Sequence, residues 1–379
     1  MKIFFTGGGT AGHLYPIVSI VREIKKIDPE RKFQFFFLGP RNNFVDAIFR
    51  DEGIVVKNIS AGKMRRYFSL MNIYDLFVRT PVGIIQAFFY IYFNPPDLIF
   101  SKGGYGSLPV ALAGRLLLVP IFTHESDIVS GVANKFIERS ALEVFASFPV
   151  KRENIRLPLE KIIAVGNPIR SEISVGSKEK AKVIFNLSGT RPVILIMGGS
   201  QGARSINQKI LAILGELLED YELIHQTGEA NFVQVASQSR ILVSEEEQEY
   251  YHPVSFIGEK DLPNAYAAAD LIISRAGAGS IFEIAAAGKP SILVPLSGSA
   301  QNHQLKNALA YNEAGAAIVI EENEFTPRFM LDKVRYLFSE KEELNEMAEM
   351  AKEFARPEAA KIIAEYLAAY LTQENKRQK

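Results

Sequence analysis

The sequence predicts an α/β protein built from two doubly wound parallel sheets. Several short apolar runs lack the alternation of half-buried strands, and such runs are typical of strands covered on both faces. A unit of strand, glycine-rich loop and helix occurs at residues 3–27 and again at 193–218. With 379 residues the chain is long enough for two domains. We therefore expect two Rossmann-like halves that face each other across a cleft.

The first half opens with a β-α-β unit. Residues 3–5 form the expected strand, 7–12 a loop that matches G-x-G-x-x-G, and 13–27 a helix, and a second strand follows at 33–38. A dinucleotide-binding unit also needs an acidic residue at the end of that second strand to bind the ribose. The strand is followed instead by Gly39-Pro40-Arg41-Asn42. We therefore predict no nicotinamide or flavin cofactor.

The segment 63–93 combines basic and aromatic residues. Its basic side chains are Lys63, Arg65, Arg66 and Arg79. Residues 81–93 have the spacing of a helix packed on the sheet, whereas 63–79 are better explained by contact with a membrane surface. The two interpretations are compatible because different faces can serve each purpose. No apolar stretch reaches the roughly 20 residues needed to span a bilayer, since the longest, Val82–Phe93, is too short and contains Gln86.

Polar and glycine-rich residues follow the next two predicted strands. The strand 98–100 leads into the glycine loop 101–107, and the strand 121–123 ends in His124-Glu125-Ser126-Asp127. The carboxyl ends of strands line the ligand crevice of an open α/β sheet. A lone histidine at such a place is usually structural, but three polar loops at one sheet edge indicate a site.

The second half repeats this pattern after a junction rich in proline and glycine, at about residues 165–180. Its expected elements are the strand 193–197, the loop 198–202, the helix 203–218, and the strands 222–225 and 255–257. Near the end of the chain, Ser339 and Glu342 match the capping box of a last helical region. Pro357 is expected to break or kink that region.

The stretch 271–308 carries the clearest signal for a ligand. A buried strand at 271–273 is followed by two glycines and then at once by a helix pattern at 280–287. The first N–H groups of such a helix lack partners, and the helix dipole favours an anion there. Glu283 lies within reach of a sugar hydroxyl beside a bound phosphate. Together with the amide cluster at 301–307, these features predict a nucleotide-sugar site.

Composition narrows the classes of function. Lys+Arg and Asp+Glu both total 43, so no global charge attracts nucleic acid. The absence of cysteine fits a reducing compartment, and the N-terminus leads directly into a glycine loop, so we expect no cleaved signal peptide. Asp-x-Asp, HExxH and P-loop lysine patterns are absent. A diphosphate leaving group would then be stabilised by backbone N–H groups without a metal. The candidates for a base near an acceptor hydroxyl are His13, His124 and Glu125.

Seven blocks carry a resemblance that covers nearly the whole chain. They are GGGTAGHLYP (7–16), SKGGYGSLP (101–109), HESDIVSGVANK (124–135), GNPIR (166–170), GGSQGARSIN (198–207), SRAGAGSIFEIAAAGKPSILVP (274–295) and HQLKNA (303–308). In this order they resemble the MurG family of peptidoglycan glycosyltransferases, which have the two-domain GT-B fold. The resemblance implies transfer of N-acetylglucosamine from its UDP donor, with inversion, to the 4-hydroxyl of N-acetylmuramoyl-pentapeptide on undecaprenyl diphosphate. Lipid I would become lipid II.

The resemblance also implies where each function lies. We expect an acceptor and membrane-associated domain at 1–167, a UDP-sugar domain at 168–345, and a C-terminal helix at 346–379 that packs back on the first domain. On the donor side, the resemblance assigns Glu283 to the ribose and the backbone of Ile257 to uracil. Ser200 and Ser280 would hold the diphosphate, with Arg170 near it. Gln304 and Asn307 would orient the donor sugar. The enzyme would be peripheral, at the cytoplasmic face of the bacterial membrane, and would touch anionic lipid through 63–93.

The implied acceptor side lies in the first domain. Its residues are Thr10, Gly12, Tyr105, His124, Asp127 and Asn134. His13 is the preferred general base, with Glu125 second. For Tyr105 and Asn134, bracing of a loop is the alternative role.

The chain departs from the family pattern at several positions. Ala11 stands where the family usually has glycine, Ser126-Asp127 where it has a Gln-Asn pair, and Asn302 where many members have Asp. Asp127 in place of an amide removes two donors and adds a negative charge near a diphosphate acceptor. The departures affect the acceptor side more than the donor side.

Three other functions remain open on sequence grounds. One is a related glycosyltransferase with another lipid acceptor, such as diacylglycerol. Another is a UDP-sugar epimerase on the same fold, which the basic and aromatic segment 63–93 disfavours. The last is a membrane-bound scaffold without catalysis, which the intact set of Glu283, Gln304 and Ser200 disfavours.

Overall fold

A seven-stranded parallel sheet organises the first half of the chain. The structure, a computed structural model, describes residues 1–8, 11–30, 32–40, 43–62, 69–149, 158–199 and 202–377. The strands of this sheet are β1 (Lys2–Thr6), β2 (Gln34–Gly39), β3 (Val55–Asn58), β4 (Leu98–Ser101), β5 (Ile121–Glu125), β6 (Glu143–Ala146) and β7 (Ile162–Ala164). Their order is β3-β2-β1-β4-β5-β6-β7, so the order reverses between β1 and β4. Ile3 and Phe5 belong to the core on one face and Phe4 to the core on the other. This explains why β1 is apolar at consecutive positions.

Helices cover both faces of this sheet. They are α1 (Ala11–Ile27), α2 (Asn43–Asp51), α3 (Leu70–Tyr74), α4 (Thr80–Phe93), α5 (Leu108–Leu116) and α6 (Val132–Glu138). α1 begins directly after the first glycine loop, and α5 begins after the second. Each of these two helices therefore follows a strand end at the point where the strand order reverses.

A second parallel sheet, of six strands, organises the second half. Its strands are β8 (Val193–Met197), β9 (Glu222–Gln226), β10 (Tyr251–Val254), β11 (Leu271–Ser274), β12 (Ser291–Leu293) and β13 (Ala317–Val319). Their order is β10-β9-β8-β11-β12-β13, which reverses between β8 and β11. Alternate residues of β8 again serve two cores, with Ile194 and Ile196 on one face and Leu195 on the other.

The helices of the second half connect these strands. They are α7 (Lys178–Phe185), α8 (Arg204–Leu211), α9 (Leu214–Leu218), α10 (Glu229–Leu242), α11 (Glu245–Gln248), α12 (Leu262–Ala268), α13 (Ala278–Ala286), α14 (His303–Glu313), α15 (Pro327–Ser339) and α16 (Lys341–Phe354). Short 3₁₀ turns lie at Leu159–Lys161, Ser171–Val175 and Ala300–Asn302. The predicted helix 203–218 is therefore two helices, since Ala212 and Ile213 interrupt it.

The chain divides into two compact units. The first contains Met1–Ile169 and Pro357–Lys379, and the second contains Arg170–Arg356. The last helix, α17 (Ala359–Arg377), lies in the first unit, where it packs on α1 and buries Ile363 and Leu367 in the core. The returning segment thus begins at Pro357, later than the predicted start at 346, because α16 remains in the second unit.

The segment Leu70–Phe93 is one continuous helical run. A π-helical turn, Asp75–Arg79, connects α3 to α4. By length and composition alone the run could cross a membrane, and only 17% of its most apolar window is buried. The expectation that no apolar stretch is long enough was therefore wrong. Two polar side chains of this run have partners within the protein. Asp75 forms an ion pair with Arg79 at 3.2 Å, and Gln86 Oε1 accepts a hydrogen bond from the Ser60 N–H at 2.8 Å.

The α/β class with two parallel doubly wound sheets is confirmed, whereas several details of the elements were wrong. The predicted strand 255–257 lies after the true strand β10, which contains Pro253. Proline is tolerated there because β10 is an edge strand. Ser339 does not cap α16, because it ends α15 and its hydroxyl donates to the Tyr336 carbonyl.

Candidate active site

The candidate site residues gather at the two points where strand order reverses. In the first sheet, the loops after β1 and β4 leave adjacent strand ends, and in the second sheet the loops after β8 and β11 do so. An open α/β sheet binds ligands outside the carboxyl ends of its strands at this switch point. Each unit therefore has its own half-site, and the two are described separately.

The start of α13 has the features of an anion site in the second unit. Its N-cap residue, Gly277, provides no side-chain cap, and a Cβ added to Gly277 would meet no atom within 4 Å. The first N–H groups of a helix have no acceptor within the helix, and the dipole places partial positive charge there. Ser280, in this first turn, is partly exposed. A phosphate fits this position.

The glycine loop after β8 lies at the adjacent strand end. Gly202 has φ +73°, and a Cβ there would overlap the carbonyl oxygen of Thr227. Only glycine permits this close approach of the two backbones. Ser200, predicted to bind the diphosphate, lies outside the described residues.

Glu283 lies on α13 and is held by two other side chains. Arg170 donates to Glu283 Oε1 from Nη2 at 2.5 Å and from Nε at 3.2 Å. The Tyr266 hydroxyl donates to Oε2 at 3.2 Å. Burial, followed by the effect of the Glu283 carboxylate, raises the pKa of Tyr266 well above its usual value, so this hydroxyl remains a donor. A carboxylate offers about four lone-pair sites, so capacity remains for the hydroxyls of a ribose.

Ile257 and Gln226 connect the loops on the other side of this half-site. The Ile257 N–H donates to Gln226 Oε1 at 3.0 Å, and Gln226 Nε2 donates to the Gly199 carbonyl at 3.1 Å. The backbone of Ile257 is predicted to bind uracil, and in this structure its N–H already has a partner within the protein. Gln226 thus connects the position expected for uracil to the glycine loop, a role that no sequence motif indicated.

Gln304 and Asn307, predicted to orient the donor sugar, both contact backbone. Gln304 Oε1 accepts from the Leu296 N–H at 2.9 Å. Asn307 is completely buried, and its amide donates to the Ala276 carbonyl at 3.5 Å, in the loop between β11 and α13. Asn307 thus braces the loop that precedes the anion site, and Gln304 braces the loop that follows β12.

Arg275 links several loops of the second unit and had no role in the sequence interpretation. Its guanidinium donates to the carbonyls of Val294 and Pro295, to Ser205 Oγ at 2.8 Å, and to Glu322 Oε1 at 2.5 Å. Burial alone would raise the pKa of Glu322, but hydrogen bonds from Ser205 and Arg275 lower it to about 2. The network fixes the loop after β12 relative to α8.

In the first unit, His13 lies between the two glycine loops. A Cβ at Gly8 would lie 2.9 Å from His13 Nδ1, and one at Gly104 would lie 3.2 Å from Nε2. Burial, and then the Lys102 ammonium, lower the pKa of His13 to about 4, against the opposing effect of Asp127. The imidazole is therefore neutral near pH 7 and able to accept a proton.

Glu125, at the end of β5, is buried among hydrogen-bond donors. Oε1 accepts from the Asp127 N–H at 3.0 Å, and Oε2 accepts from Asn134 Nδ2 at 2.6 Å. Asn134 in turn accepts from the Gly104 N–H at 3.0 Å through Oδ1. Burial and the Asp127 carboxylate raise the pKa of Glu125 to about 7. Asn134 thus connects the carboxylate to the second glycine loop, as the bracing interpretation requires.

The other acceptor residues differ in their access to a ligand. His124 is completely buried, and its Nε2 donates to the Gly166 carbonyl at 3.0 Å, so it supports the sheet edge from within. Tyr105 is partly exposed, and burial and the Asp75 carboxylate raise its pKa. Gly12 is exposed in the first turn of α1. Thr10 lies outside the described residues.

Sequence reasoning also missed Lys102, which is 1% exposed. It directly follows β4, inside the second glycine loop, and its Nζ donates to Ser126 Oγ. The signal was present, because a lysine at the carboxyl end of a buried strand must find partners within the protein.

Two family models match this chain, one in each half. The family model of the glycosyltransferase family 28 N-terminal domain matches residues 3–146, and that of the C-terminal domain matches residues 193–363. The fold and the two matches define a glycosyltransferase of family 28.

Individual relatives show which family of glycosyltransferases this chain belongs to. A UDP-N-acetylglucosamine--N-acetylmuramyl-(pentapeptide) pyrophosphoryl-undecaprenol N-acetylglucosamine transferase of Clostridium tetani is 36% identical, over 90% of this chain and 91% of its own length. The corresponding transferase 2 of Bacillus cereus is 37% identical, over 93% of each chain. The chain belongs to this transferase family, the MurG family.

Solved structures show the same fold at lower identity. MurG of Acinetobacter baumannii has a TM-score of 0.72 and 24% identity, over 97% of this chain and 99% of that one. A UDP-GlcNAc 2-epimerase of Neisseria meningitidis, solved with UDP-GlcNAc, has a TM-score of 0.70 and 16% identity, over 97% and 100%. At these identities the likeness concerns the fold alone, so it does not decide between transferase and epimerase.

Proposed function

We propose that this chain transfers N-acetylglucosamine from UDP-N-acetylglucosamine to the 4-hydroxyl of the lipid-linked N-acetylmuramoyl-pentapeptide, turning lipid I into lipid II with inversion. The observation that carries the proposal is Glu283, held by Arg170 and Tyr266 beside the uncapped start of α13. A fixed carboxylate next to a helix start suits a ribose next to a diphosphate. The identity to transferases over nine-tenths of the chain supports the same reaction.

On the donor side, each ligand group has a proposed partner. The ribose hydroxyls bind Glu283, and the diphosphate binds the start of α13 with Ser280 and Ser200. Uracil lies against the backbone of Ile257. Since N–H groups and a helix dipole can carry the charge of a leaving diphosphate, we propose a reaction without a metal or other cofactor.

Gln304 and Asn307 act on the donor sugar through the loops that they brace. Gln304 holds Leu296, and Asn307 holds Ala276. The proposed effect is therefore on the position of the sugar, and nucleotide affinity depends on other residues.

On the acceptor side, His13 is the proposed general base. A base must first reach the hydroxyl. His13 is a partly exposed residue beside the two glycine loops, whereas both oxygens of Glu125 accept bonds inside the protein. The low pKa of His13 keeps its ring neutral at pH 7, and an anionic acceptor nearby would raise it. Glu125 holds Asn134 and is the second candidate for the base.

The membrane contact is proposed for the segment 63–93, at the cytoplasmic face. The relatives act on an undecaprenol-linked substrate, which lies in a membrane. In this chain the run Leu70–Phe93 exposes Phe77, Phe89 and Phe93, each by more than half of its surface. An exposed apolar face of this kind favours contact with lipid.

The experiment is transfer of radiolabelled N-acetylglucosamine from its UDP donor to a short-chain lipid I analogue, with EDTA present. Labelled product of inverted configuration is expected. Release of UDP with a diacylglycerol acceptor would redirect the proposal to another glycosyltransferase reaction. Conversion of the donor sugar to its 2-epimer, with no acceptor present, would replace it by an epimerase.

A further inference from the structure

The buried lysine of the second glycine loop has no role in the proposed reaction so far. The Lys102 N–H donates to the Thr6 carbonyl at 2.8 Å, which fixes the residue between the ends of β1 and β4. Its Nζ donates to Ser126 Oγ, in the loop after β5. Lysine is almost never completely buried unless it is paired. Through its backbone and its side chain together, Lys102 therefore joins the ends of β1, β4 and β5.

Titratable groups from each neighbouring element face this ammonium. Glu125 and Asp127 act to raise the pKa of Lys102, although burial dominates and lowers it to about 8. The ammonium in turn lowers the pKa of both His13 and His124. The two histidines are neutral near pH 7, so the charges that remain around Lys102 are those of the two carboxyl groups.

More distant charges complete the cluster. Glu138, on α6, raises the pKa of Glu125. Lys135 lowers the pKa of Glu138, although burial has the larger effect and raises it. Within the described part of the chain, Lys135 acts on Glu138 and Glu138 acts on Glu125, whereas Lys102 interacts directly with Asp127.

The charges of Lys102 and Asp127 matter because the proposed acceptor is an anion. The proposed acceptor carries a diphosphate, and Asp127 is among its proposed neighbours. Two negative charges a few ångströms apart repel strongly where water is scarce. Without a nearby cation, the carboxylate of Asp127 would oppose binding of the substrate.

We propose that Lys102 is a positioning residue of the acceptor half-site. Its buried ammonium holds Ser126 by a hydrogen bond and offsets the Asp127 carboxylate, so that a diphosphate-linked acceptor meets less negative charge in this loop. The inference rests on the proposed function, because it requires an anionic acceptor at residues 124–127. It assigns no contact between Lys102 and the reacting atoms.

The test is a double-mutant cycle of Lys102→Met and Asp127→Asn, with the short-chain lipid I analogue as acceptor. Lys102→Met should raise the KM for the acceptor about tenfold or more and leave the affinity for UDP unchanged. Asp127→Asn alone should lower the acceptor KM, because the Lys102 ammonium then lies near the diphosphate without the opposing Asp127 carboxylate. The double variant should recover to within about threefold of wild type.

The pH dependence of the acceptor KM in the wild-type protein gives a test that does not depend on whether Lys102→Met folds. The acceptor KM should rise as pH increases through about 8, where Lys102 loses its charge, and Asp127→Asn should weaken this rise. A merely structural lysine would change stability and UDP affinity without this selective effect on the acceptor.

Two results would overturn this inference and leave the proposed function intact. One is a Lys102→Met variant that keeps the wild-type acceptor KM. The other is a double variant whose acceptor KM is as high as that of Lys102→Met. Wild-type protein that forms no labelled product would overturn the proposed function and the inference with it. The two failures are distinct, because the first is seen in an active wild-type enzyme.

Discussion

The donor and acceptor half-sites occupy equivalent places in their sheets but use different chemistry. In the second unit, Glu283 is fixed by Arg170 and Tyr266, and the anion position consists of backbone N–H groups. In the first unit, Lys102 and Glu125 are buried titratable groups whose pKa values move to about 8 and about 7. One half-site is a fixed set of hydrogen bonds, whereas the other changes its charge near neutral pH.

This difference follows from what each ligand demands. A nucleotide must be held in one orientation while its diphosphate leaves, and fixed dipoles do this without reorganisation. An acceptor hydroxyl must give up a proton, so its site needs groups whose protonation states can be set by their surroundings. In the proposed mechanism, the same fold element, a glycine loop between strand and helix, supports binding in one unit and proton transfer in the other.

The largest expected effect is that of His13→Asn. Loss of a general base typically lowers the rate by about 10²–10⁴-fold, and UDP affinity should not change because His13 lies in the other unit. Single-turnover rates and calorimetric UDP titration measure the two quantities. A rate within about threefold of wild type would exclude His13 as the base and favour Glu125.

Glu283→Gln should have the next largest effect, and on the donor side. It removes the charged partner of Arg170 and of the ribose, so affinity for UDP should fall by about 1–3 kcal/mol. Glu246→Gln, at an exposed position of α11, is the matched control in the same unit. Unchanged UDP affinity would remove the ribose assignment.

Asn134→Asp separates bracing from acceptor contact. An Asp keeps an acceptor for the Gly104 N–H but replaces the donor to Glu125 by a like charge. We expect the kcat/KM for the acceptor at pH 7 to fall about tenfold, with UDP affinity unchanged. The pKa of the Glu125 carboxyl should rise further, because a second carboxylate then lies beside it, and an NMR pH titration of that side chain measures the change. An unchanged Glu125 pKa would contradict the proposed bracing role.

The smallest expected effect is a loss of membrane binding. Replacing Phe77 and Phe93 by Ser should weaken binding to vesicles of anionic phospholipid several-fold, because each removes apolar surface from the exposed face of the helical run. Val233→Ser with Ile241→Ser, at similarly exposed sites of α10, is the control. An equal loss of vesicle binding in the two double variants would contradict a specific membrane contact through 63–93.

The sequence was sufficient for the elements whose signals are local. The apolar runs of β1, β8 and β11 have no alternation, and the glycine loops after them need close backbone approach, so strand, loop and helix could be located. Glu283 was identified because it follows such a loop within one turn and a half. Its partner Arg170 lies 113 residues away in sequence, so only the folded chain shows the ion pair.

Other features depend on competing signals. Pro253 argues against a strand, and only the position of β10 at the sheet edge makes it tolerable. The pattern of Ser339 and Glu342 does not distinguish the start of one helix from the end of another. Lys102 was visible in the second glycine loop, but its burial and its bond to Ser126 result from the way β4 and β5 lie side by side.

The most direct test of the contrast is to follow UDP affinity and acceptor kcat/KM in the same wild-type protein from pH 4 to pH 9. In the proposed donor half-site, backbone N–H groups that do not titrate hold the diphosphate, so UDP affinity should be constant between about pH 6.5 and 8.5. The acceptor kcat/KM should fall above pH 8, as Lys102 loses its charge, and below about pH 5, as His13 with its pKa of about 4 gains a proton. A fall on the acid side already near pH 7 would identify Glu125 as the base instead. Two quantities that vary together, or an acceptor kcat/KM that is flat across this range, would contradict the division into a fixed and a titrating half-site.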